Sequence, residues 1–120
     1  MRTIIAGSRS LGYESVIKAV ANCGWIPTAI ISGGASGVDQ SGERYARENS
    51  IPLEIYQANW RRYGRSAGYV RNSLMADKAG PEGALICCWD GISKGSKNML
   101  ETARRKGLKI YLFNAEAMQT

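Results

Sequence analysis

The amino-acid sequence predicts a Rossmann-like α/β domain of three layers, in which a five-stranded parallel sheet carries helices on both faces. Three observations predict this fold class. Short apolar runs, most of them rich in β-branched residues, alternate with helix-length amphipathic segments along the 120 residues. Several runs are hydrophobic almost throughout, as expected of strands that are buried on both faces. Three runs end in a small-residue or glycine-rich loop that leads toward a helix.

The alternation places the elements in order. Strands are expected at residues 3–6, 28–32, 51–56, 84–89 and 108–113, and helices at residues 13–22, 38–49, 69–79 and 96–106. Residues 57–68 are expected to form a polar loop. Pro52 has no amide hydrogen to donate, which favours a position near the sheet edge for the third strand. Right-handed crossovers then favour the strand order 3-2-1-4-5, with a switch point between strands one and four.

Length and composition restrict the class of protein. A chain of 120 residues, 44% of them hydrophobic, fits one globular domain over residues 1–120. No apolar run approaches the roughly 18 residues of a membrane span, and the N-terminus has no signal-peptide pattern. Cys23, Cys87 and Cys88 have no metal-ligand spacing and fit reduced, buried positions. We therefore expect a cytoplasmic protein with no membrane partner.

Charge and residue types narrow the function. The net charge of +6 favours anionic partners, either nucleotides or nucleic acid. The chain contains no histidine, which removes the commonest general base, the usual zinc ligand and every Ser-His or Cys-His pair. We expect a ligand site with no metal and no cofactor.

The loop after the second strand has the most informative glycine pattern. Its candidate ligand-binding residues are Gly33, Gly34, Ala35, Ser36 and Gly37, with Asp39 in the following helix. Glycines allow positive φ and a close approach of ligand to backbone, and amides at a helix N-terminus can face a bound anion. The alternative is a tight turn in which Asp39 serves only as an N-terminal charge.

The loop after the fourth strand repeats this design. Lys94 and Lys97 flank its candidate residues, which are Asp90, Gly91, Ser93, Gly95 and Ser96. The carboxylate of Asp90 can accept hydrogen bonds from a ribose or a base, and the alternative role is an Asx turn or cap. The positive charge and the place at a strand end favour a functional role.

Two further segments complete the predicted site. Gly7, Ser8 and Arg9 follow the first strand, where the guanidinium can clamp a phosphate or bridge a surface carboxylate. The segment 59–72 interleaves aromatics with arginines, and Trp60 or Tyr69 can stack a base while Arg71 and Asn72 reach the crevice. The alternatives for this segment are a loop that caps the sheet or a surface for single-stranded nucleic acid.

These segments, in this order, resemble the YspA-like branch of the SLOG superfamily, the Rossmannoid group that includes DprA and the LOG phosphoribohydrolases. The resemblance covers about residues 2–113 and includes Met75 after the Arg71 segment. It implies a modified Rossmann fold and a nucleotide-derived ligand in the crevice. The superfamily contains N-glycosidic hydrolases of nucleoside monophosphates, sensors of nucleotide signals and DNA-binding proteins.

One position departs from the phosphoribohydrolase pattern. Those enzymes carry a glutamate three residues after a Gly-Thr pair, and alignment of that pair on Gly95-Ser96 places Met99 there. Arg71 resembles the family's catalytic or phosphate-contacting arginine. If the protein is an enzyme, Asp39, Asp90 and Arg71 are the candidate catalytic residues, and Glu101 is a further candidate base.

Three hypotheses follow, in order of preference. The first is a domain that senses or sequesters a small nucleotide-derived ligand. The second is an enzyme that hydrolyses the N-glycosidic bond of nucleoside monophosphates, which needs a carboxylate within reach of the sugar. The third is a DNA-binding protein like DprA, whose binding would fall steeply with salt. We also expect a homo-oligomer, a dimer or higher, which the apolar helix faces permit.

Overall fold

The five strands form one all-parallel sheet in the order β3-β2-β1-β4-β5, as the sequence predicts. A computed structural model describes residues 1–114. Its strands are β1 (Arg2–Gly7), β2 (Ala29–Ser32), β3 (Leu53–Ile55), β4 (Ala84–Trp89) and β5 (Lys109–Asn114). Its helices are α1 (Tyr13–Asn22), α2 (Val38–Glu48), α3 (Trp60–Tyr63), α4 (Ala67–Ala79) and α5 (Lys94–Arg105), with a 3₁₀ turn at Gly64–Ser66.

The central strand β1 shows how the sheet separates two cores. Ile4 and Ile5 are both fully buried, and adjacent side chains of a strand point to opposite faces. Ile4 packs into a cluster that includes Met75 of α4 and Met99 of α5. Ile5 packs into the other cluster, which includes Val16 of α1. Helices therefore cover both faces, which confirms the predicted three-layer Rossmann-like class.

Two helices begin earlier than the sequence predicts. α4 begins at Ala67 rather than residue 69, because the 3₁₀ turn before it leads directly into the helix. α5 begins at Lys94 rather than residue 96, because Ser93 is its N-cap and accepts a hydrogen bond from the Ser96 amide at 3.4 Å. The predicted exit loop after β4 is accordingly shorter.

The polar segment between β3 and α4 is more regular than the predicted loop. It contains α3, whose N-cap Asn59 accepts a hydrogen bond from the Arg62 amide at 3.0 Å. β3 is the shortest strand, with three residues, and lies at the sheet edge. Pro52 precedes it, in agreement with the predicted edge position. The last six residues of the domain expected over 1–120 lie outside the described part.

Within residues 1–114, none of the helices combines the length and the apolar character that a bilayer crossing requires.

Candidate functional site

A cavity of about 550 Å³ opens at the carboxyl ends of β1 and β4. This is the edge at which parallel α/β sheets hold their ligands, and the volume lies within the range of small-molecule sites. Eleven of the candidate residues line it: Gly7, Arg9, Ala35, Asp39, Trp60, Arg71, Asn72, Asp90, Ser93, Gly95 and Ser96. The structure thus brings residues of all four predicted segments together.

Asp39 is a buried carboxyl group in the wall of this cavity, with 4% of the residue exposed. Burial raises the pKa of Asp39 to about 6, since desolvation disfavours the charged form. The Ala35 amide, which donates to Asp39 Oδ2 at 3.2 Å, and the Arg71 guanidinium both lower this pKa. The carboxyl group therefore changes its charge near neutral pH.

Arg71 lies in the first half of α4 and is held by two hydrogen bonds. Its Nη1 donates to the Gly33 carbonyl at 2.7 Å, and its Nε donates to Asn72 Oδ1 at 3.1 Å. The buried amide of Asn72 donates in turn to Asn98 Oδ1 at 2.9 Å. Burial lowers the pKa of Arg71, while Asp39 raises it. A half-buried guanidinium, fixed in direction, suits the recognition of a phosphate or carboxylate group.

Asp90 uses its carboxylate to order the loop after β4. Oδ1 accepts hydrogen bonds from the amides of Ile92 at 2.8 Å and Ser93 at 2.9 Å. Oδ2 accepts one from the Ser10 hydroxyl at 2.9 Å. The two backbone amides lower the pKa of Asp90 to about 2. This geometry is an Asx turn, and so low a pKa makes Asp90 a weak proton acceptor.

Ser8 connects three loops. Its carbonyl accepts hydrogen bonds from the amides of Leu11 and Val38, both at 3.3 Å. Its hydroxyl accepts one from the Asp90 amide at 2.9 Å. The residue is buried and is not among those that line the cavity. Its contacts therefore lie within the protein.

Some backbone amides of the glycine-rich loop after β2 donate hydrogen bonds to acceptors within the protein. The Gly34 amide donates to Ser32 Oγ at 3.1 Å, and the Ala35 amide donates to Asp39. Gly37 has a φ of 78° and packs against the backbone of Arg9, where a Cβ atom would come within 2.5 Å of Arg9 Cα. Six candidate residues do not line the cavity: Ser8, Gly33, Gly34, Ser36, Gly37 and Gly91.

Six lining residues were not among the predicted site residues: Ala6, Ser10, Arg65, Gly68, Met75 and Met99. Tyr69, which the sequence offers as an alternative to Trp60 for stacking, also lines the cavity. Four of the lining positions around α4 follow a helical spacing of three and four residues, namely Arg65, Gly68, Tyr69 and Asn72. A predicted start at Ala67 would have placed Gly68 on the same helix face as Asn72, four residues further on. Met99 lies where the phosphoribohydrolase pattern expects a glutamate, and it is buried against the apolar floor.

The cavity lining contains more cationic than anionic side chains, together with exposed aromatic rings. Arg9, Arg65 and Arg71 provide three cationic groups, against the carboxyl groups of Asp39 and Asp90. Asp90 is hydrogen-bonded through both oxygens, and the pKa of Asp39 leaves it partly neutral near pH 6. Trp60 and Tyr69 add exposed aromatic faces to the lining. The cavity thus combines guanidinium groups with stacking surfaces.

Fold and cavity together define a Rossmann-like α/β protein with an arginine-bearing crevice at the carboxyl edge of its sheet. The model of the YspA, cpYpsA-related SLOG family matches residues 1–63. The chain belongs to that family, which confirms the resemblance seen in its motifs.

Comparison with curated proteins finds a phage relative. The Gene 61 protein of Mycobacterium phage D29 is 29% identical over 89 residues, which cover 70% of each chain. No solved structure matches the chain significantly.

Proposed function

We propose that the cavity binds a nucleoside monophosphate or a closely related nucleotide-derived ligand, and that the protein senses or sequesters it. One observation carries the proposal: a fixed guanidinium, that of Arg71, shares one cavity with the exposed aromatic faces of Trp60 and Tyr69. A phosphate needs the first kind of group and a base needs the second. Membership of a SLOG family supports a nucleotide-related function.

The lining residues suggest which side chains would contact the phosphate, the base and the sugar of such a ligand. Arg71 and Arg9 would hold the phosphate, near the amino-terminal end of α5 at Gly95. Trp60 or Tyr69 would stack on the base. Asp39 lies deeper, where an ionised carboxylate would accept a hydrogen bond from a sugar hydroxyl. The cavity volume of about 550 Å³ is sufficient for one nucleotide.

Calorimetric titration tests this proposal. The four common ribonucleoside monophosphates and their unphosphorylated nucleosides are titrated into the protein. We expect saturable binding of at least one monophosphate and at least tenfold weaker binding of its nucleoside. Arg71→Met should remove most of that difference, whereas Arg104→Met, an exposed arginine of α5, should not. Equal affinity of nucleotide and nucleoside, or no binding of either, would refute the phosphate assignment.

A second candidate function is hydrolysis of the N-glycosidic bond, and the buried carboxyl group of Asp39 favours it. A pKa of about 6 suits a group that accepts and returns a proton near neutral pH. Asp90 is less suited, because its pKa of about 2 makes it a weak base. Glu101, the other candidate base, is exposed on α5 and does not line the cavity.

Release of free base from nucleoside monophosphates separates the two functions. Chromatography of the reaction mixture would show base and ribose phosphate if the protein is a hydrolase. Asp39→Asn should then abolish release while the nucleotide still binds, and Glu101→Gln should retain it. Binding with no release by the unaltered protein would leave the sensing role alone.

Association of the chain with itself is a separate proposal. Val70 and Leu74, one turn apart on α4, are exposed apolar residues beside the cavity, and such a stripe suits pairing with a second copy. Light scattering coupled to size exclusion would show a dimer or larger species, and Leu74→Glu should dissociate it.

We also infer a cytoplasmic location from the free, buried cysteines Cys87 and Cys88.

A further inference from the structure

The segment that borders the cavity mouth carries an unbalanced positive charge. Between Glu54 and Asp77 the sequence contains four arginines, no lysine and no acidic residue. Arg71 of this set points into the cavity and is held there. The other three, Arg61, Arg62 and Arg65, lie on α3 and the following turn and are exposed.

These three arginines have no carboxylate partner within residues 1–114. Three arginines elsewhere do have one: Arg2 pairs with Glu54, Arg44 with Glu48 and Arg47 with Glu43. Their positive charge is therefore available to an external anion. Among described contacts, Arg62 stacks on the ring of Tyr63, 5.1 Å from its centroid.

Exposed aromatic rings are interleaved with these arginines along the same stretch of chain. Trp60 is 58% exposed, Tyr69 is 50% exposed and Tyr63 is 39% exposed, although large aromatic side chains usually bury most of their surface. Trp60 lies against Gly68, where a Cβ atom would be 3.8 Å from the indole ring. We call these six exposed residues the collar: Trp60, Arg61, Arg62, Tyr63, Arg65 and Tyr69.

We propose that the collar binds single-stranded nucleic acid across the mouth of the cavity. Exposed cations that alternate with stacking rings are the combination by which proteins hold single strands without sequence preference. A duplex keeps its bases stacked inside and cannot offer them to Trp60 or Tyr69. Arg61, Arg62 and Tyr63 do not line the cavity, so the collar extends beyond the space that one nucleotide fills.

Fluorescence anisotropy with a labelled oligo(dT) of about 12 nucleotides, a length within the range of known single-strand sites, tests the proposal. If about three phosphates are neutralised, affinity should fall roughly 20-fold between 50 and 200 mM salt. The double variant Arg61→Ala, Arg62→Ala should weaken binding about tenfold at low salt and reduce that salt dependence. Trp60→Ala should weaken binding by a similar factor through lost stacking.

A matched control has the same change in net charge. Arg104→Ala, Arg105→Ala removes two exposed arginines from the last turn of α5, outside the collar and the cavity lining. It should retain oligonucleotide affinity within about twofold. Equal loss in both double variants would mean that only overall charge matters and would overturn the proposal.

Three other results would also overturn it: no oligonucleotide binding, equally tight binding of a duplex of the same length, or preferential binding to vesicles that contain phosphatidylserine. Mononucleotide titration of the same variants separates this inference from the cavity proposal. Arg61→Ala, Arg62→Ala should leave mononucleotide affinity unchanged. Oligonucleotide binding without mononucleotide binding would refute the cavity proposal and leave the collar in place.

Discussion

Asp39 and Arg71 approach each other over the backbone of Gly33. A Cβ atom built on Gly33 would lie 2.5 Å from Arg71 Nη1 and 2.8 Å from Asp39 Oδ2. Only a glycine leaves this space open, and the Gly33 carbonyl holds the guanidinium at 2.7 Å. The carboxyl group therefore partly neutralises the arginine that we assign to the phosphate. An anionic ligand at Arg71 would therefore also lie near the negative charge of Asp39 whenever that group is ionised.

This relationship predicts a pH-dependent stability. The pKa of Asp39 is about 6 in the fold, above its ordinary value of 3.8, so the folded state binds the proton more tightly than the unfolded chain. Stability is then lost as the pH rises from about 4 through 6, by about 3 kcal/mol. Asp39→Asn cannot ionise and should raise the melting temperature at pH 8 while leaving it nearly unchanged at pH 4.

Chemical denaturation at both pH values measures the difference directly. The groups around Asp39 are Arg71, the amides of Ala35 and Gly7, and the buried Glu43 of α2. Glu43→Gln removes the neighbouring negative charge and should lower the pKa of Asp39. An equal stability change at pH 4 and pH 8 for Asp39→Asn would contradict this account.

Gly33→Ala should weaken nucleotide binding as well as folding. The added methyl group overlaps the flexible end of Arg71 and also Asp39 Oδ2, so both side chains must shift, at a cost of about 1–3 kcal/mol. The displaced guanidinium would lose its carbonyl partner, and monophosphate affinity should fall about tenfold, which corresponds to one lost charge-assisted hydrogen bond. Gly12→Ala is the control, because no atom lies within 4 Å of its Cβ position. Unchanged affinity in Gly33→Ala would show that the guanidinium does not contact the ligand.

Alanine substitutions at two neighbouring serines should differ in their effect on the stability of the fold. Ser8→Ala leaves the Asp90 amide without its hydroxyl acceptor and should destabilise the fold by about 1–2 kcal/mol. Ser10 is exposed in the cavity wall, and Ser10→Ala should change stability by less than about 0.5 kcal/mol. Thermal unfolding of both variants gives the comparison. A larger loss for Ser10→Ala would reverse the roles assigned to the two hydroxyls.

Asp90→Ala should loosen the loop that leads into α5. Hydrogen exchange at the amides of Ile92 and Ser93, which now donate to Asp90 Oδ1, should become faster. Because the pKa of Asp90 is lowered to about 2, its contribution is present above the unfolded pKa near 4 and lost as the pH falls through 2. Asp90→Asn keeps an acceptor oxygen and should preserve most of the protection. Exchange that is slow in all three proteins would show that other contacts order the loop.

The sequence predicted the fold well where local signals agree. The bounds of α1 and β4 match the structure, since glycines or turn residues flank a helical periodicity in α1 and a continuous apolar run in β4. The start of α4 was missed because Ser66 makes no side-chain cap and apolar residues such as Val70 lie on its exposed side. α3 is one turn long, too short for a periodicity to develop.

For the candidate site, the sequence located the loops but not the direction of their groups. Convergence at the carboxyl edge follows from parallel topology alone, and eleven candidate residues do line the cavity. Whether an amide faces a ligand or a protein acceptor depends on side chains distant in the chain. Gly34, for example, donates to Ser32, and Ala35 donates to Asp39. From the sequence alone, the collar could be recognised only as a segment rich in arginine and aromatic residues.

The position of Ser8 has a consequence for how such proteins diverge. Its carbonyl and hydroxyl fasten the loops after β1, β2 and β4 to one another, and Gly37 closes against Arg9 beside it. The frame of the crevice is therefore maintained by residues that no ligand needs to touch. Side chains on its inner surface, such as Ser10 and Tyr69, can be exchanged without dismantling that frame. During evolution, substitutions of the lining residues can thus change the ligand while the hydrogen bonds that hold the three loops together are kept.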